Sequence, residues 1–228
     1  MEYPNYDRLD AVPHYSQRDN KHRSKSTGKL TRFVDCAPTS TADAVRYCLG
    51  LHDLDKTAIG CNPTMQLEDY MNEIIDSDEM GEWIKENSSW IGRWILKTVR
   101  RQAFHVEAEV FNRLMKDAGL GYRAKVDGKI TYEKVQKSIT RDKLPIVMSG
   151  YFKAVSRIGG HVVCCIGYST LGIKELVCND PFGSATLGYP KGQSFAKNRQ
   201  DGHRVSYGLR FFKKKSGYML GIRIENTG

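Results

Sequence analysis

The sequence predicts an α+β fold in which a helical first half packs on an antiparallel sheet. Apolar residues recur at helical spacing through the first half, and the period drops from 3.6 toward 2 after Leu144. Helices come first and strands afterwards, rather than in alternating βαβ units, and no internal repeat is present.

Residues 1–35 are polar, carry Pro4 and Pro13, and include the basic run NKHRSKSTGK, which suits a solvated, partly mobile segment. Within it, AVPHYSQ offers Val12, His14 or Tyr15 as anchors for a short extended piece. From Cys36, the spacing of Ala37, Thr41, Ala44, Val45, Cys48 and Leu49 predicts a helix. Pro38 is tolerated in its first turn, where the missing N–H would have been unpaired anyway, and Gly50 stops it. Residues 52–103 look helical but irregular, with QLEDYMNEII as one short helix. Trp83, Trp90 and Trp94 are seven and four apart and form one stripe, which predicts core packing. VEAEVFNRLMKDAGL is a further helix with Val106, Val110, Phe111 and Leu114 inward and Gly119 and Gly121 at its end. ITYEKVQKSIT is a short one built on Ile130, Val135 and Ile139. LPIVMSGYF, HVVCCIGYST, ELVCNDP, HRVSYGLRFFKK and GYMLGIRI all read as strands.

Length suggests a single domain over 1–228, with 52–103 as a helical insertion within it. Hydrophobic residues make up 40% and charged residues 27%, which excludes a disordered or collagenous chain. A formal net charge of +9 favours polyanionic partners: nucleic acid, an acidic membrane face or an anionic wall polymer. MEYPNYDRLD has neither a basic n-region nor an apolar core, so a secretory signal is not expected, and no run is long enough to span a bilayer. The six cysteines (Cys36, Cys48, Cys61, Cys164, Cys165, Cys178) contain no CxxC pair. Free thiols are expected. His14, His22, His52, His105 and His203 show no H-E-x-x-H spacing, which argues against a metallopeptidase.

Cys36 sits where unpaired N–H groups and the helix dipole favour negative charge, and hence a thiolate. Packing, redox and metal roles remain alternatives. A thiolate nucleophile needs an imidazole to pair with, and the imidazole needs an acceptor. His161 opens one strand and Asp180 ends the next. If those strands pair antiparallel, the two meet at one edge. Taken singly, His161 reads equally as a satisfied polar residue and Asp180 as a turn residue before Pro181. Gln17 supplies an amide that would donate to a developing oxyanion, alongside the Cys36 N–H. Its alternative is an exposed polar residue.

These segments resemble the papain-like cysteine peptidases related to the proteases that clip double-glycine leader peptides from bacteriocin precursors. VPHYSQ is similar to their V-P-x-x-x-Q opening, DCAPTS to the D-C-G-P nucleophile segment, GGHVVCCIGY to the histidine strand and CNDPFG to the following D-P. The resemblance implies Cys36 as nucleophile, His161 as base, Asp180 as orienting acid and Gln17 in the oxyanion hole, with neither metal nor organic cofactor. It covers about residues 11–50 and 120–185 and is weak over 52–103. Ala37 departs from the usual Gly, and its methyl group narrows the cleft floor without removing a donor.

A basic chain with this constellation and no transporter also looks like bacteriophage peptidoglycan endopeptidases. The expected activity is hydrolysis of an amide in peptidoglycan peptides by a monomer. It would be made in the host cytoplasm and reach the wall by holin-type release or as a virion component. Alternatives are a processing protease acting on a protein or leader peptide, and an inactive wall-binding or nucleic-acid-binding module. The run Lys213-Lys214-Lys215 reads as a solvated strand end, and nucleic acid is not the expected partner. His203, in a turn before a strand, is a weaker candidate for the cleft wall.

Overall fold

A computed structural model describes residues 3–19, 21, 23, 36–87, 101–150, 161–184, 202–212 and 218–228. Its helices pack against an open antiparallel sheet, as the change of period predicts. The helices are α1 (Cys36–Gly50), α2 (Leu67–Ile75), α3 (Asp78–Asn87), α4 (Arg101–Asp117) and α5 (Tyr132–Lys137), the last running into a π-turn over Ser138–Asp142. The strands are β1 (Tyr6–Arg8), β2 (Tyr122–Ile130), β3 (Ile146–Gly150), β4 (His161–Ser169), β5 (Glu175–Asn179), β6 (Val205–Gly208) and β7 (Met219–Asn226). Their order is β2-β7-β3-β4-β5-β6, with β1 added beside β4.

Helix α1 is the centre of the molecule, packed against β3 and β4 on one side and α2 and α4 on the other. Twelve of its 15 residues are buried, so its composition is small and mixed rather than two-faced. Ala42, Ala44, Val45 and Leu49 meet Met71 of α2, Phe111 and Leu114 of α4 and Val147 and Val163 of the sheet in one cluster. Burying each large apolar side chain of this kind is worth about 1.5–3 kcal/mol relative to exposure. Asn112 of α4 both donates to the Ala124 carbonyl (3.2 Å) and accepts from its N–H (2.7 Å), which ties the helix to β2.

Three expectations need correction. The strand β2 falls where the sequence showed only the end of one helix and the start of another. Tyr122 and Ala124 alternate inward, but the intervening Arg123 and Lys125 and the irregularity between Asp127 and Ile130 weaken the period-2 signal. The described part of the segment before Cys36 is not simply solvated, even beyond the anchor expected at Val12. Tyr6–Arg8 pairs with Gly167–Ser169, and Leu9, Val12, Ser16 and Gln17 are buried. That pairing requires Gly167, since a Cβ there would lie 2.7 Å from the Asp7 carbonyl oxygen. Finally, among the described residues HRVSYGLRFFKK is strand only over β6 and turns into a short 3-10 segment at Leu209–Phe211. Trp83 is half-buried against the core, whereas Trp90, Trp94 and the lysines 213–215 lie outside the described residues.

Candidate active site

Cys36 is the first residue of α1 and is half-buried, at the end where backbone N–H groups lack intrahelical partners. The helix is fixed there by Ser40, whose Oγ donates to the Val162 carbonyl (3.1 Å), one residue after His161. That hydrogen bond ties the first turns of α1 to the start of β4.

Strands β4 and β5 pair antiparallel with Cys164 opposite Asn179, so the first residue of β4 and the residue after β5 come to the same end. His161 Nε2 lies 2.6 Å from Asp180 Oδ1. Asp180 is fully buried and His161 is 8% exposed. The same carboxyl group accepts from the Phe182 N–H at Oδ1 (2.9 Å) and from the Tyr207 hydroxyl at Oδ2 (2.6 Å). The Phe182 ring meets the imidazole edge-on, with centroids 6.4 Å apart. Asp180 N–H donates to the Gly202 carbonyl (2.7 Å), and any Cβ on Gly202 would overlap the Asp180 carbonyl oxygen. Glycine is needed at that approach.

The Cys36 side chain, at the head of α1, acts on the charge state of His161. Burial by itself would lower the imidazole pKa. The Asp180 charge and hydrogen bond, joined by those of Cys36, outweigh it and raise His161 from 6.5 to about 10.

Residues 13–17 form a strap across this end of the sheet. Asn179 Nδ2 donates to the Pro13 carbonyl (2.7 Å), His14 Nε2 to the Asp180 carbonyl (3.1 Å) and the Gln17 N–H to the Pro181 carbonyl (3.1 Å). The Tyr15 N–H donates to Asp43 Oδ1 of α1 (2.8 Å). Asp43 is wholly buried, and burial holds its carboxyl well above the usual range. Gln17 is thus buried beside the residue that follows Asp180. His203 stacks on His14 at 5.7 Å, so it braces the strap.

The structure therefore pairs His161 with Asp180, places Gln17 in the strap that bonds to Pro181, and sets Cys36 at the head of α1, where it acts on the charge state of His161. Sequence reasoning missed Tyr207, Phe182, Asn179 and Asp43. Asn179 and Phe182 flank the Asp180-Pro181 pair and were within reach of it. Tyr207 and Asp43 carry no local signal, because their roles depend on pairings across the sheet and between α1 and the strap. Among the described residues no group of three or more His, Cys, Asp and Glu side chains is placed to hold a metal ion. All six cysteines are free thiols.

A thiol at a helix N-terminus, together with an imidazole paired to a carboxyl group on an antiparallel sheet, is consistent with a cysteine-peptidase-like fold. Comparison with protein families matches residues 9–203 to the Peptidase_C39 like family, and the chain belongs to that family. It is related to the double-glycine leader peptidases of bacteriocin processing. No curated protein matches the chain.

Proposed function

We propose that the protein is a cysteine peptidase that hydrolyses amide bonds in the peptide part of bacterial peptidoglycan. The observation that supports the catalytic part is His161, hydrogen-bonded to the buried Asp180 and raised in pKa by Asp180 first and by Cys36 at the head of α1 as well. An imidazole with a pKa of about 10 is protonated at neutral pH and holds a proton for a leaving group.

In this mechanism the Cys36 thiolate attacks the carbonyl carbon. The oxyanion is met by backbone N–H at the start of α1 and by the Gln17 amide. His161 passes its proton to the leaving amine, and the C–N bond breaks to leave a thioester on Cys36. His161, now neutral, takes a proton from water as the water attacks the thioester. The acid departs, and the Cys36 thiolate and the His161 imidazolium are restored. Asp180 fixes the ring throughout.

The net charge of +9 supports an anionic substrate, for which carboxylate-rich and phosphate-bearing wall material qualifies. The wall is then the place of action, whatever route takes the protein there. A second reading, cleavage of a protein or leader peptide, is favoured by the family relation to leader peptidases. Incubation with isolated sacculi, followed by mass spectrometry of released fragments, separates the two. New amino termini within stem or bridge peptides, absent with Cys36→Ala, are the expected result. Intact sacculi beside cleavage of a co-encoded protein would move the case to processing. New reducing sugar ends alone would contradict a peptidase.

A further inference from the structure

We infer that Tyr207 is a positioning residue of this site, holding Asp180 in the rotamer that keeps His161 turned toward Cys36. The inference rests on the catalytic reading above and adds a member that neither the motif pattern nor the family match assigns. Tyr207 is the deeply buried residue of β6, at 0% exposure, and lies opposite Leu176 of β5 in the register. Its ring packs against Phe211 and Phe212, with centroids 5.6 and 6.3 Å away. A phenylalanine would serve that packing equally well.

The hydroxyl is what packing does not explain. A buried tyrosine O–H needs an acceptor, and this one ends 2.6 Å from Asp180 Oδ2. It comes from the opposite side of the carboxyl group to the His161 contact, which is made through Oδ1. The Phe182 N–H shares Oδ1 with His161. Both oxygens of a fully buried carboxyl group are thereby held, and its plane is fixed by donors from two separate strands and the turn after β5. Removing the hydroxyl strips Oδ2 of this donor at a place where water does not reach. The carboxyl group can then rotate away from the imidazole, and the ring loses its orientation toward the thiol.

The test uses the intact chain and needs no knowledge of the substrate. Iodoacetamide alkylation of Cys36 at pH 7, followed by peptide mass spectrometry, is compared in wild type, Tyr207→Phe, Asp180→Asn, the double variant and His161→Ala. Tyr207→Phe should slow Cys36 alkylation about tenfold. The double variant should be no slower than Asp180→Asn alone, because Tyr207 acts through Asp180. A full additional loss in the double variant, or an unchanged rate in a folded Tyr207→Phe protein, overturns the inference. Unchanged Cys36 reactivity in His161→Ala and Asp180→Asn would instead overturn the catalytic reading beneath it. If Tyr207→Phe does not fold, wild-type NMR decides. The Tyr207 hydroxyl proton should exchange slowly and show a cross-peak to the His161 Nε2 proton. Absence of that cross-peak while the His161 proton is visible counts against the role.

Discussion

Asp180 and Glu68 are both carboxyl groups withdrawn from water, at 0% and 1% exposure, and the molecule treats them in opposite ways. Asp180 is met by an imidazole, a hydroxyl and a backbone N–H, each within 2.9 Å. Glu68, on α2 behind α1, has no donor from another residue on either oxygen among the described residues. Burial, with the nearby charges of Asp19 and Asp69, pushes its carboxyl up from 4.5 to about 8. One site holds its acid with donors and a countercharge, the other by keeping a proton on it. Burial alone therefore does not mark a functional acid. The donor set does, together with a titratable partner whose own state the acid controls.

The largest difference should appear when each acid is removed. Asp180→Ala should lower peptidase activity by about 10³–10⁴-fold, since the imidazole loses both its orientation and its countercharge. It should also cost about 3–5 kcal/mol of stability, because His161 is left buried without its partner. Glu68→Gln should leave activity near wild type. Equal activity losses in the two variants, measured on one released fragment, would erase the distinction between the two centres.

The smaller effect is one of pH. Glu68 keeps its proton in the folded chain up to about pH 8 but loses it near 4.5 when unfolded. The folded state binds the extra proton across that window, so this group's contribution to stability falls as pH rises from 4.5 to about 8 and then levels off. Glu68→Gln should melt with wild type below pH 4.5 and about 5 °C or more above it at pH 8. Parallel melting curves at all pH values would show that Glu68 is not protonated in the folded chain.

Much of the donor-rich centre was legible in the sequence. Cys36 before a helical pattern, His161 at a strand start and Asp180 at the next strand's end needed only an antiparallel pairing to converge. The register of Cys164 against Asn179 supplies it. The strap was legible as far as Val12, because an apolar residue in a polar stretch signals docking. What holds the strap was not. Asp43 lies on a helix buried nearly all round, so no polar face sets it apart, and its partner Tyr15 lies 28 residues away in sequence. Tyr207 depends on β6 lying beside β5. The sequence predicts both strands but not that pairing, since a stretch of variable composition separates them. The strand β2 was lost for a local reason: its outward positions are charged and its inward ones are as small as alanine.

The most direct test of the account is the titration of His161 itself, followed by ¹⁵N-histidine NMR of the folded protein. The donor-rich centre predicts an imidazolium that persists through neutral pH and gives up its proton only near pH 10, with the transition moving down in Asp180→Asn. An imidazole that titrates near its ordinary value of 6.5, with no change in Asp180→Asn, would contradict the pairing on which the catalytic reading depends.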